Sequence, residues 1–420
     1  MRKPDYLLAI HVPVYVDGVR RLAATDWVRS LSLLRRSLGD RIRRLTWLAP
    51  AAPLEADTPD QSLEEIDDAA LGIECRPSMD YRCRARSYWL RERARWQRDV
   101  TEALDPDGIA HVGMNDLYRP INFDALRVAL GGGACTVFVR DTDELLKTAQ
   151  LRAAADRTPT VRDRLYDAAY DACIRHAVRR ADLSLLKGRD LFDRYRDVSR
   201  NPRLFQDVSY TRDEIVAEET RLSRVARMLE GGPLRLTYCG RLEARKGVDR
   251  SIRVVARAVA LGVDCRFHVI GDGPERAALE RLATAEGVAE RVRFIGRRPY
   301  DAALFRELAD QDALLFTPVA EDTPRMIFDA FACGLPVIGA DIAYVRERRD
   351  VDRAVEVIPF DDVKAGAHLL SALDRDRSRL ASLSELAVEA ARANAAESWY
   401  ARRADWTFEA FDRSRAVRQS

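Results

Sequence analysis

From Gly231 onward the chain repeats one pattern. Short apolar runs at 234–239, 265–270, 291–295, 313–317, 336–340 and 354–358 are separated, in most cases, by intervals long enough for a helix. Runs of this length, bounded by Gly and Pro, read as strands buried on both faces. Parallel neighbours need a crossover, so the repetition predicts a parallel sheet with helices on both sides. Ligands of such sheets bind beyond the carboxyl ends of the strands. Functional residues are therefore sought directly after each run.

The first run ends in Gly240-Arg241-Leu-Glu-Ala-Arg-Lys246-Gly247, which reads either as an anion-binding turn or as a solvated basic loop. The second ends in Gly271-Asp272-Gly273-Pro274-Glu275, a tight turn into a helix, and the third in Gly296-Arg297-Arg298-Pro299. After the fourth comes Glu321-Asp322-Thr323-Pro324-Arg325-Met326-Ile327-Phe328-Asp329. Thr323 suits an N-cap and Pro324 the first turn of a helix, while Gly334 and Pro336 stop it. Met326, Ile327, Phe328, Ala330, Phe331 and Ala332 cover most of its circumference, which predicts a buried helix. Its single acid, Asp329, then needs a partner, and an i,i+4 pair with Arg325 is the plainest one.

Taken in order, these segments resemble those of retaining GT-B glycosyltransferases, the large family that includes sucrose synthase and bacterial cell-envelope mannosyl- and glucosyltransferases. Acid, seven residues, acid, then Ala-x-Ala-x-Gly-x-Pro-Val is similar to the family's E-x7-E segment, with Asp329 where the family usually has Glu. Gly240 to Gly247 is similar to the family's Gly-Arg-Leu-x-x-x-Lys-Gly segment, whose Arg and Lys clasp the donor diphosphate. The resemblance is close over about 231–345 and only general over 1–230. It implies an α/β chain of two Rossmann-like domains facing across a cleft. These would be an acceptor domain at 1–205, a linker at 206–230, a nucleotide-sugar domain at 231–395, and a C-terminal helix at 396–420 returning to the first domain.

What the resemblance implies for chemistry is transfer of a hexosyl group from a nucleoside-diphosphate sugar to a hydroxyl, with the anomeric configuration kept. The acceptor would be a glycan, a lipid-linked molecule or a small glycoside. Arg241 and Lys246 would meet the diphosphate, because charge grows on the leaving group. Glu321 would lie beside the donor sugar, Asp329 would hold the ribose, and Arg297 would stand near the nucleobase. Gly240, Gly271, Asp322, Thr323, Pro324 and Arg325 complete the implied donor site. No cofactor or metal is expected. His111 falls in register with the family's Asp-x-Val-His-x-His strand, beside Asp107, but Gly113 occupies the place of the functional histidine. A buried, hydrogen-bonded histidine is the competing reading.

Elsewhere the chain is less specific. Net charge is +2, from 69 basic and 67 acidic residues, which gives no field for a nucleic acid partner. Residues 51–75 hold eight acids and no base, and 76–98 hold eight arginines against Asp80 and Glu92, with Tyr81, Tyr88, Trp89 and Trp96 interleaved. Residues 26–45 space Trp27, Leu31, Leu34, Leu38 and Ile42 among six arginines. This reads as an ordinary sheet-covering helix or as one lying on an anionic membrane. Seven cysteines without a C-x-x-C pair fit reduced core thiols, and the expected location is cytoplasmic, with the inner membrane face left open. Asp141-Thr-Asp143 after an apolar strand permits a metal-dependent transferase or hydrolase instead, and a catalytically silent nucleotide-binding subunit is the other alternative.

Overall fold

The computed structural model describes residues 2–55, 62–320 and 323–419. The chain is α/β throughout and divides into two units, neither of them a continuous stretch. Unit 1 takes 1–142, 159–207 and 397–420, and unit 2 takes 143–158 and 208–396.

Unit 2 holds six parallel strands, Leu234–Cys239, Cys265–Ile270, Val292–Gly296, Ala313–Phe316, Val337–Ala340 and Val355–Ile358. Each lies within a residue of the run expected from the sequence. Their spatial order is third, second, first, fourth, fifth, sixth. The order reverses between the first and fourth strands, so their carboxyl ends flank the crevice where such sheets take ligands.

In unit 1 a ten-stranded sheet carries parallel strands Asp5–Ala9, Arg44–Pro53, Ile109–Gly113, Cys135–Arg140, Leu183–Lys187 and Pro202–Phe205. An antiparallel hairpin, Val14–Asp17 and Arg20–Ala24, extends it where the sequence reads as a plain loop. Strands Arg44–Pro53 and Glu74–Asp80 were not expected either. Pro50, Pro53 and Pro77 break the usual strand signature, yet each run pairs in parallel with the other. The basic stretch 26–45 is correspondingly not one helix. The helix is Thr25–Leu38, Gly39 ends it with φ 51°, and Arg44 opens a strand.

The expected linker, 206–230, contains a helix, Glu218–Leu229, that belongs to unit 2. Its Arg224 is buried and donates to the carbonyls of Ala309 (3.2 Å), Cys333 (2.8 Å) and Gly334 (2.7 Å) and to the Ser384 hydroxyl (2.7 Å). Burial pushes its pKa down to about 10, so it stays charged at neutral pH. The guanidinium thereby satisfies the last carbonyls of the segment that follows Asp329. Replacing Arg224 by Met should strand those buried acceptors, each at about 1–3 kcal/mol. Urea unfolding should register a loss of at least about 3 kcal/mol, and a loss under 1 kcal/mol would contradict this account.

Candidate functional site in the second unit

At the reversal point of unit 2, the loop after the first strand packs against the end of the fourth. Residues 244–246 form one 3-10 turn, Gly247 takes φ 65°, and the helix Val248–Ala260 follows. A Cβ on Gly247 would stand 1.8 Å from the Thr317 carbonyl oxygen, so only glycine fits. Thr317 returns the contact, donating its hydroxyl to the Gly247 carbonyl at 2.8 Å, and Ser251 Oγ lies 2.7 Å from the same hydroxyl. Val319 N–H donates to the Arg245 carbonyl at 3.1 Å. The loop of Arg241 and Lys246 is therefore fixed on the strand that leads to 320.

The next turn is locked as closely. Leu242 N–H donates to Asp272 carbonyl and Glu275 N–H to Leu242 carbonyl, while a Cβ on Gly271 would meet the Gly240 carbonyl oxygen at 1.9 Å. Within this frame Arg241 remains 74% exposed, with Glu243 at 3.2 Å, and Arg245 binds the same carboxylate at 2.8 Å. Lys246 is half-buried in the 3-10 turn.

The helix after the fourth strand is shorter than the sequence implies. It runs Met326–Ala332, with Arg325 as its N-cap and no side-chain cap, so Thr323 and Pro324 precede it. Ile327, Phe328, Ala330, Phe331 and Ala332 are buried, as an apolar helix must be. Asp329 Oδ1 accepts from the Tyr300 hydroxyl at 2.7 Å. Arg325 reaches the Ser209 hydroxyl at 3.1 Å. Tyr300 follows Arg297 and Arg298 on the loop beyond the third strand, and its ring meets Phe305 edge-on. Arg298 pairs with Glu307 at 2.9 Å. Glu321 and Asp322 lie outside the described residues.

Residues 233–376 match the family described as Glycosyl transferases group 1. This chain carries a group 1 glycosyl transferase domain. Over 221 residues it is 32% identical to alpha-D-kanosaminyltransferase of Streptomyces kanamyceticus, covering 50% of this chain and 55% of that one. Over 103 residues it is 38% identical to the GDP-mannose-dependent alpha-(1-6)-phosphatidylinositol dimannoside mannosyltransferase of Mycobacterium tuberculosis, covering 24% and 26%. The chain thus spans between about a quarter and about half the length of these relatives. Among solved structures, Anabaena Alr3699/HepE in complex with UDP superposes with a TM-score of 0.64 at 14% identity over 97% of this chain and 99% of that one. Sucrose-phosphate synthase of Thermosynechococcus elongatus gives 0.63 at 16% identity over 100% and 99%. Both likenesses are of fold, and the fold is GT-B.

The group 1 domain contains Gly240, Arg241, Lys246, Gly271, Arg297, Thr323, Pro324, Arg325 and Asp329 at or beside its strand ends. Tyr300, Thr317 and Ser251 also shape it. Sequence reasoning missed them because a tyrosine in a turn and hydroxyls near a strand end have no signature of their own. Glu321 and Asp322 fall within the same matched segment of the sequence, and the three other candidates, Asp141, Asp143 and His111, lie outside it. Asp143 accepts from Leu146 N–H as the N-cap of helix Glu144–Ala154, in unit 2, whereas Asp141 belongs to unit 1. Among the described residues no group of three or more His, Cys, Asp or Glu is placed to hold a metal ion.

His111 sits in mid-strand in unit 1, 7% exposed, with Nδ1 2.7 Å from the Tyr6 hydroxyl. Burial, reinforced by Arg403, pushes its pKa down to about 3, so the neutral ring accepts from Tyr6. The unfolded chain protonates this residue near pH 6.5. The native state does so only near pH 3, so the stabilisation is complete above pH 6.5 and drains away as pH falls through that window. His111→Gln should therefore flatten the acid limb of stability by up to about 1.4 kcal/mol per pH unit. Urea midpoints at pH 7, 5.5 and 4.5 measure it, and an unchanged slope would refute it.

Proposed function

We propose that this chain transfers a hexosyl group from a nucleoside-diphosphate sugar to an acceptor hydroxyl on a glycan, lipid-linked molecule or small glycoside, with retention at the anomeric carbon. The observation that carries the reading is the locked junction of the 240–247 loop with Thr317 at the sheet's reversal point, inside the segment that matches the group 1 family. It is supported by relatives named for kanosaminyl and mannosyl transfer, and by a fold shared with a structure that holds UDP.

In this reading the nucleotide lies over unit 2. Arg241 and Lys246 face the diphosphate, Asp329 takes the ribose hydroxyls with its carboxylate oriented by Tyr300, and Arg297 neighbours the base. Glu321 orients the sugar. The bond from the anomeric carbon to the phosphate oxygen breaks as the bond to the acceptor oxygen forms. The acceptor's proton passes to the leaving phosphate, so no protein nucleophile is needed. Two fixed cations supply the charge that a metal would supply elsewhere.

Hydrogen bonds to charged groups are worth about 1.5–3 kcal/mol. Arg241→Ala and Lys246→Ala should each weaken nucleoside-diphosphate binding about tenfold or more, read by titration calorimetry across UDP, GDP, ADP, CDP and dTDP. Glu321→Gln should leave that binding nearly unchanged and cut turnover of the donor. Diphosphate binding unaltered in Arg241→Ala, or full activity in Glu321→Gln, would sink the assignment.

Turnover should also survive excess EDTA. Complete loss that Mn²⁺ restores would transfer the chemistry to Asp141 and Asp143.

A further inference from the structure

The arginine-rich aromatic block after residue 76 has no part in the transfer chemistry. In unit 1 its helical portion contains a π turn over Tyr88–Glu92. Tyr88 is fully buried and donates to Asp124, whereas Trp89 and Leu90 are 49% and 70% exposed. Trp89 is nevertheless held in place. Its indole N–H donates to the Tyr118 carbonyl at 2.9 Å, and the Arg93 guanidinium lies 4.7 Å from its ring.

Tyr118, itself half exposed, stacks on Tyr166 at 5.3 Å, and the Tyr166 hydroxyl accepts from Leu117 N–H. Tyr166 follows Leu165 on the helix Val161–Arg180, where Val161 and Leu165 stand one turn apart, 73% and 67% exposed. Trp89, Tyr118 and Tyr166 are thus linked in one row, and Leu90, Leu165 and Val161 are exposed apolar groups near them in sequence. Single exposed apolar side chains are ordinary, but a linked set marks a contact surface.

The charges around it decide what it contacts. Arg84, Arg86 and Arg91 beside Trp89, and Arg162 and Arg164 beside Val161, are all exposed, and their side chains form no ion pair or hydrogen bond among the described residues. The nearby acids are engaged internally. Glu92 accepts from Asp80 N–H, Asp116 from Arg119 N–H, and Asp163 completes the capping box with Thr160. The 26–45 stretch, in contrast, has most of its cations committed to the fold. Arg35 donates to the Gly72 and Gly39 carbonyls, Arg43 and Arg44 share Asp5, and Arg41 pairs with Asp405.

We propose that Trp89, Leu90, Tyr118, Val161 and Leu165, with the five arginines that neighbour them in sequence, dock unit 1 on an anionic lipid bilayer. Tryptophan and tyrosine settle at the headgroup level, the leucines and valine enter just below it, and the guanidinium groups meet lipid phosphates. A bilayer fits better than a nucleic acid strand, because one face each of Trp89 and Tyr118 is already covered by Arg93 and Tyr166. The proposal does not rest on the transferase reading, and its test measures binding alone.

The full chain would be co-sedimented with vesicles of phosphatidylcholine and of phosphatidylcholine with one-third phosphatidylglycerol, at low and high salt. Binding is expected only to the anionic vesicles, weakening as salt rises. A basic residue near such a leaflet contributes a factor of about five, so Arg84→Gln/Arg86→Gln/Arg91→Gln should bind about 100-fold more weakly. Leu90→Ser, at an exposed position that leaves the core untouched, should weaken binding several-fold. Arg36→Gln, on the exposed face of the Thr25–Leu38 helix, should change nothing. The proposal is overturned by absent binding at low salt, by parent-like binding of the triple variant, or by loss of binding in Arg36→Gln. Displacement from vesicles by an equal charge concentration of single-stranded nucleic acid would overturn it as well.

Discussion

In unit 2 two pieces of backbone, Gly247 and the Thr317 carbonyl, approach so closely that no Cβ fits between them, and the candidate site depends on this contact. A side chain at 247 would push the first strand's loop off the end of the fourth. The contact is made at the one place in the sheet where neighbouring crossovers depart in opposite directions. Backbone packing of this kind is stiff, since no rotamer can absorb a displacement. The Arg241 and Lys246 loop is therefore positioned by main chain, while the Arg241 side chain remains largely exposed. Rigid placement of flexible cations is what an anion of changing charge requires.

Legibility followed burial. Unit 2's strands are apolar on both faces, so their runs stand out, and all six lie where the pattern places them. Unit 1 mixes parallel strands with an antiparallel hairpin and carries prolines inside two strands. There the pattern fails at Arg44–Pro53 and Glu74–Asp80, although both are paired. Proline removes a donor; the register shift between Ala49 and Ala51 brackets Pro50, and Pro77 lies on Glu74–Asp80, which among the described residues pairs with one strand. Helix Glu218–Leu229 was illegible for a different reason. A run rich in Glu and Arg reads as solvated, yet Arg221 and Arg224 are among its buried residues.

The polar groups of the site region show the same limit. That the buried helix must give Asp329 a partner follows from its apolar surroundings, but the partner's identity does not. Arg325 is near in sequence; Tyr300 is 29 residues away and arrives on a loop from another strand. The Tyr300 hydroxyl gives the Asp329 carboxylate a fixed direction.

The chain's path between the units bears on how the protein comes to be made. Unit 1 contains the first 142 residues and also the final helix, Ala396–Gln419, from Glu397 on. On that helix Arg403 lies over Phe205, and Trp406 faces Arg203. Translation runs from the amino end at about 5–20 residues per second. Residues 1–142 of unit 1 are made before unit 2, yet the helix from Glu397 that lies over Phe205 is made after every residue of unit 2. Unit 2 can thus have all its residues while unit 1 still lacks the helix that packs on Phe205.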